Sequence, residues 1–204
     1  MKNTQITTSS HAQMNAPLNL TGQFLIATPM QRGDAFDRTV IYVCEHNDNG
    51  ALGIVVNRAS EIVLSEVLVK LEVADEDAIQ VSPRARDAVL LGGPVQTERG
   101  FVLHSPFKEY AATIKINDRL GLTSSRDVLE AIAQGQGPEH MILALGYAGW
   151  GAGQLEAEIA RNAWLNVAAS EHVLFETLPR ERYSQAMRLL GFDAVMLSEQ
   201  TGRA

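Results

Sequence analysis

The sequence predicts an α+β domain built on a mixed, largely antiparallel sheet. Three observations carry this: β-branched and aromatic runs come in clusters, a polar Asn/Gly turn joins two of them, and helix-period stretches fall unevenly between the clusters. A strict βαβα alternation would have implied a doubly wound parallel sheet instead. With 204 residues, 46% of them hydrophobic, the chain has material for one core. It shows no internal repeat and no linker, so residues 19–204 read as one domain behind a polar tail, residues 1–18.

FLIA (Phe24–Ala27) and TVIYVC (Thr39–Cys44) are short apolar runs bounded by Pro, Gly and Asp, the pattern of strands buried on both faces in mid-sheet. The turn EHNDNG then leads to the run Ile54–Val56, so the strands on either side of it pair. Leu64, Val67, Leu68 and Leu71 recur at helical spacing and predict a helix over about 64–71. AVLL (Ala88–Leu91) and FVLH (Phe101–His104) predict strands around the Gly-rich connection GGPVQTERG, and ATIKI (Ala112–Ile116) a further strand. A second helix is expected over Thr123–Ala133, with Ser124 and Asp127 at capping-box spacing. MILAL (Met141–Leu145) predicts a strand, Gln154–Asn162 a third helix and HVLF (His172–Phe175) the last strand. Tyr183, Ala186, Met187 and Leu190 mark a final helix ended by Gly191.

A formal charge of −7 and a pI near 5.2 oppose unspecific attraction to nucleic-acid backbones and anionic membranes. The single cysteine, Cys44, excludes an intramolecular disulfide and a cage of several thiolates, and fits a reducing compartment. The tail lacks the apolar core of a secretory signal, and no stretch approaches the roughly 20 apolar residues of a membrane span. A soluble, cytoplasmic protein is expected, monomeric or homodimeric, with no membrane partner.

Four segments carry candidate chemistry. GYAGWGAGQLE (Gly146–Glu156) places four glycines between a strand and a helix, and two readings stand: a ligand loop in which Tyr147, Gly149, Trp150, Gly151, Gly153, Gln154 and Glu156 contact an anion, or a sharp turn packed around Trp150. The specific phosphate-loop endings are absent, and Glu156 would repel a phosphate. Cys44 and His46, two apart at a strand end, share a face if the period of two holds; this gives either a thiol–imidazole pair or a buried small hydrophobe beside a histidine bonded to main chain. Gly92 and Gly93, with His104 closing the next strand, form either a pocket rim or a bulge. Asn57 and Arg58 offer polar groups to an anionic ligand or a carboxylate. Glu156 and Glu158 are either acid/base groups or solvated flanks of a helix. No metal or cofactor motif is present.

Taken together, CEHNDNGALGIVVNR, LLGGPVQTERGFVLH, LALGYAGWGAGQLEAEIARNAWL and FETLPRERYSQAMRLLGFD resemble the YqgE/AlgH family of bacterial proteins, over nearly the whole chain from about Leu18 to Asp193. The resemblance implies a branched sheet, part of it rolled into a small barrel, surrounded by helices. It also implies an association, in the AlgH branch, with transcriptional regulation of alginate synthesis. Three functions compete. The first is a non-enzymatic binding or regulatory protein with a groove made by Cys44–Arg58, Gly92–Pro94 and Gly146–Glu158, taking a small ligand, a protein or a nucleic-acid segment. The second is a thiol enzyme or redox sensor using Cys44 with His46 as base. The third is an interaction module with Trp150 and Trp164 as exposed anchors.

Overall fold

The computed structural model describes residues 19–28, 36–75 and 84–191; the tail predicted over residues 1–18 lies outside them. Ten strands form one curled, mostly antiparallel sheet: β1 (Gln23–Ala27), β2 (Val40–Asn47), β3 (Gly50–Val55), β4 (Ala59–Val63), β5 (Ala88–Leu91), β6 (Val95–Ser105), β7 (Thr113–Lys115), β8 (Gly121–Thr123), β9 (His140–Gly151) and β10 (Trp164–Ala168). Among the described residues four short helices pack on it: α1 (Leu64–Lys70), α2 (Arg126–Ala133), α3 (Gln154–Ala160) and α4 (Pro179–Leu189). The main path runs β10-β1-β2-β3-β9-β6-β8-β7, and β10 and β7 do not close on each other.

The sheet branches at β9. Its first half pairs antiparallel with β6 and, at Ala144 and Leu145, parallel with β5; its second half pairs with β3 from Ala148 to Gly151. β4 joins through β5 alone. The expected mid-sheet position of the first two strands holds, because β1 lies between β10 and β2, and β2 between β1 and β3. Their faces alternate between two cores. Phe24, Tyr42 and Ile54 enter the one lying against α4, while Leu25, Ile41 and Val43 enter the other, capped by Leu155 of α3. A third cluster, with Leu64, Leu68, Val128 and Leu129, holds α1 and α2 against Val102 and Leu143.

Four expectations need correction. HVLF is not a strand: His172–Glu176 forms a π-helical turn, closed by Thr177 N donating to His172 O at 3.1 Å. Its adjacent Val173 and Leu174 are both buried, and a short apolar run does not distinguish helix from strand. Trp164–Ala168, to which no element was assigned, is a strand. GGPVQTERG and GYAGWG are not connections, since β6 starts at Val95 and β9 runs on to Gly151. Finally, Thr123 belongs to β8, and α2 begins after Ser125, whose hydroxyl bonds the Asp127 carboxylate at 2.5 Å; Ser124 is held by Arg99 instead.

The branch point explains the glycines. Gly92 N donates to Leu145 O at 2.7 Å and Gly92 O accepts from Val55 N at 2.8 Å, which inserts the GGP segment between β9 and β3. At Gly93 φ is +153°, and a Cβ there would lie 2.1 Å from the carbonyl carbon of Tyr147; at Gly146 φ is +72°, and a Cβ would lie 2.5 Å from Gly93 O. Backbone meets backbone at both points, so no side chain can rotate away. Gly93→Ala is expected to cost about 2 kcal/mol or more in urea unfolding, whereas Gly135→Ala, with nothing within 4 Å of the added methyl, costs about 1 kcal/mol at its positive φ.

Candidate functional site

Most of the chemically capable side chains singled out in the sequence are committed to the fold. Cys44 is 1% exposed in the first core, its Sγ 3.6 Å from Tyr42 O, and burial pushes its thiol up from the ordinary value. Of the two readings of Cys44 and His46, the thiol–imidazole pair is not made, and the shared face expected from the period of two does not hold. The β2–β3 register shifts between Val43 and Glu45, so the alternation of faces slips at Cys44. Cys44 packs with Tyr42, while His46 faces α3 and the Leu20 segment. Leu20 N donates to His46 Nδ1 at 3.1 Å; that ring nitrogen therefore carries no proton, and Nε2–H donates to Glu156 Oε1 at 3.1 Å. His46 thus clamps the chain entering β1 to α3.

The GWGAGQLEAE block is a second clamp. Gln154 Oε1 accepts from Gly151 N at 3.1 Å, Gly153 (φ +71°) is the residue before α3, and Leu155 is fully buried. Glu158 accepts both indole N–H groups, from Trp150 at 2.9 Å and Trp164 at 2.8 Å, and Gln154 Nε2 at 3.0 Å. Burial pushes the Glu158 carboxyl up, but these donors outweigh it and hold the group below the ordinary glutamate value. Trp150 and Trp164 are 8% and 3% exposed and meet edge to face, so they are core rather than exposed anchors. The block is therefore the end of β9, with Trp150 packed in the core, and the turn is confined to Ala152 and Gly153 before α3.

Asn57 and Arg58 also hold backbone. Asn57 Oδ1 accepts from Val40 N and its Nδ2 donates to Arg38 O, both at 2.8 Å, while Arg58 Nη2 donates to Asp37 O at 3.0 Å. His104 is fully buried on β6, apart from the other candidates. Thr123 Oγ1 lies 2.9 Å from its Nε2 and 2.7 Å from Thr113 Oγ1, and Pro106 O lies 3.5 Å from its Nδ1. A neutral ring with the proton on Nδ1 satisfies this chain. Burial pulls its pKa below the ordinary histidine value, the Pro106 carbonyl opposing.

Of the predicted groove, the first segment (Glu45, Asn47 and Asn49–Leu52) and the third (Tyr147, Gly149 and Trp150) do line one open concavity, of about 540 Å³, with Val95; Gly92–Pro94 do not. Its rim is the polar turn: Asn47 Nδ2 donates to Glu45 Oε1 and Asn49 N to Asn47 Oδ1. A larger cleft of about 620 Å³ lies elsewhere, between α1 and α2 over β6 and β9. Its floor is Val67, Val102, Val128, Leu129, Leu143 and Leu145, and Lys70, Arg99, Arg126, Glu66 and Glu98 surround it. Ile62 and Leu71, 37% and 42% exposed, leave apolar surface at its edge. The periodicity of 64–71 marked Leu64 and Leu68, which are buried, but Leu71, expected on the same buried stripe, lies past the end of α1 and stays exposed; nothing in the linear pattern placed α2 opposite it. Among the described residues, no three His, Cys, Asp or Glu side chains group to hold a metal ion, and no helix is long and apolar enough to cross a membrane.

Two outcomes follow. Native Cys44 is expected to resist iodoacetamide, with alkylation read by mass spectrometry appearing only at denaturant concentrations that unfold the protein; rapid labelling of the native chain would contradict its burial. Because the folded His104 pKa is depressed, its contribution is full above the unfolded value near 6.5 and is lost as pH falls below it, where the unfolded chain takes up the proton first. Urea-derived stability should therefore fall between about pH 6.5 and 5 in the wild type, and less steeply in His104→Gln, which is less stable throughout.

The AlgH-like family model (DUF179) matches residues 24–195. A UPF0301 protein of Cupriavidus pinatubonensis is 48% identical over 95% of this chain and 100% of its own length, and one of Bordetella avium is 48% identical over 91% and 92%. The solution structure of the AlgH protein from Pseudomonas aeruginosa superposes with a TM-score of 0.75 at 43% identity, covering 95% of this chain and 100% of that one. A crystal structure of protein DIP2367 from Corynebacterium diphtheriae, 20% identical, shares the fold with a TM-score of 0.65 over 83% and 86% of the two chains. With the family model matching residues 24–195 and relatives 48% identical over more than nine-tenths of its length, the chain belongs to the AlgH-like family.

Proposed function

We propose that this is a non-enzymatic binding protein that recognises an apolar segment of a protein partner in the cleft between α1 and α2. The observation that supports it most is the cleft itself: an apolar floor of six aliphatic side chains beneath a rim bearing both signs of charge, with exposed Ile62 and Leu71 beside it. An apolar centre with a polar rim is the anatomy of a protein interface. The commitment of Cys44, His46, His104 and Glu158 to hydrogen bonds or core packing agrees with binding rather than catalysis. A regulatory role would then act through protein contact, since the charge of −7 opposes a phosphate backbone. A reducing, cytoplasmic setting fits the free Cys44 thiol.

The test uses Ile62→Glu together with Leu71→Glu, two exposed positions whose change leaves the cores intact. A partner recovered by affinity capture with the wild type is purified and titrated against both proteins by calorimetry. Its dissociation constant is expected to rise by about tenfold or more in the variant. An unchanged constant, or no partner recovered with the wild type, overturns the reading.

A further inference from the structure

Arg182 lies in the first turns of α4 and is 5% exposed. Its Nε donates to Thr177 O at 3.0 Å and its Nη1 to Val56 O at 2.5 Å. Both acceptors are neutral backbone carbonyls. Among the described residues no carboxylate pairs with this guanidinium, and its Nη2 has no hydrogen-bond partner. Burial pulls the group down to about 10, so it remains a cation at neutral pH. Buried charges are ordinarily paired, and a guanidinium presents its donors as a fork suited to a carboxylate.

Arg182 lines a cavity of about 380 Å³, bounded by β5, β9, the π-helical turn and the start of α4. The walls are apolar: Leu64, Leu90, Ile142, Phe175 and Leu178. Leu178 is 50% exposed. It immediately precedes α4 and supplies no side-chain cap, so the positive end of an eleven-residue helix opens on the same space. Phe175 and Glu176 come from the π-helical turn, a geometry that recurs at functional sites. Arg86, Asp87 and Glu176 also line the cavity; with Arg182 they make two positive and two negative groups. That balance is neutral and disfavours a multiply charged phosphate; the attraction for a single negative charge comes from Arg182, whose partners are backbone carbonyls. Burial pushes the Asp87 carboxyl up from its ordinary value, with Arg84 opposing.

We propose that this cavity is a binding site for a small organic monocarboxylate, its apolar body against Leu90, Ile142 and Phe175 and its carboxylate on the free edge of the Arg182 guanidinium. The volume lies at the small end of ligand pockets and takes an acyl or aryl group of modest size. The site shares only Leu143 with the α1–α2 cleft, and each can fail without the other.

The experiment is a titration of the isotope-labelled full chain followed by amide NMR shifts, with sodium octanoate, octan-1-ol and octyltrimethylammonium as probes. Octanoate is expected to give saturable shifts centred on Ala88, Leu90, Phe175 and Leu178, with octanol about tenfold weaker or more and the cation weaker still. Arg182→Lys keeps a charge but loses the fork and is expected to weaken octanoate. Because Arg182 also ties two backbone carbonyls, Ala88→Phe serves as a second variant: Ala88 is exposed on β5 and lines the cavity, so the larger ring fills it without touching Arg182's bonds. Loss of octanoate binding in folded Ala88→Phe supports the site. Equal affinity for octanoate and octanol, shifts centred on the α1–α2 cleft or scattered, no saturable shift, or unchanged binding in Ala88→Phe would each overturn it.

Discussion

The close backbone approach at β9 is the constraint on which the rest of this fold depends. One strand has to serve β6 and β5 along its first half and β3 along its second, and the GGP segment must slip between β9 and β3 at the changeover. Only residues without a Cβ permit carbonyls and amides to pass as closely as Gly93 and Gly146 do. Once that junction is made, each limb of the sheet has its own face to cover. The helices are placed by those faces: α3 over the end carrying Trp150 and Trp164, α4 over the core of β1 and β2, and α1 and α2 over β6 and the first half of β9.

This division assigns separate work to segments that looked alike in the sequence. The glycine- and aromatic-rich blocks, which resemble ligand loops, hold the junction together. Two indoles share one carboxylate oxygen at Glu158, and one imidazole spans from Leu20 to Glu156, so a helix of seven residues is anchored at several points. Such part-buried, charge-assisted bonds favour one arrangement because leaving the buried indoles and imidazole unpaired is costly. The open concave surfaces form instead where helices stand apart from the sheet, between α1 and α2 and beside the π-helical turn.

The fold class was legible because it rests on local pattern. Phe24–Ala27 and Thr39–Cys44 announce doubly buried strands, and Leu64–Leu71 announces a helical stripe. HVLF shows where local pattern fails: four apolar residues suit a strand or a helical turn equally, and the packing of Val173 and Leu174 on the same core decides for the latter. The candidate site was less legible. Tyr147, Gly149 and Trp150 do reach a common concavity with the polar turn, whereas Asn57, Arg58, His104 and Glu156 are spent on backbone or side-chain bonds. Arg182 drew no notice, since one arginine in a charged helix looks solvent-facing until its neighbours are known.

By itself the sequence determined the strands and helices set by apolar spacing, the absence of a thiolate cage, the acidic balance and the glycines that some tight approach would require. Tertiary structure alone decided what those glycines approach, that a register shift at Cys44 turns His46 to the opposite face, and that Arg182 is buried on two backbone carbonyls with no carboxylate paired to it among the described residues. The physical reason is range. Propensity and periodicity act over a few residues, whereas desolvation and hydrogen-bond satisfaction depend on groups brought together from distant parts of the chain, as Val56 and Arg182 are here.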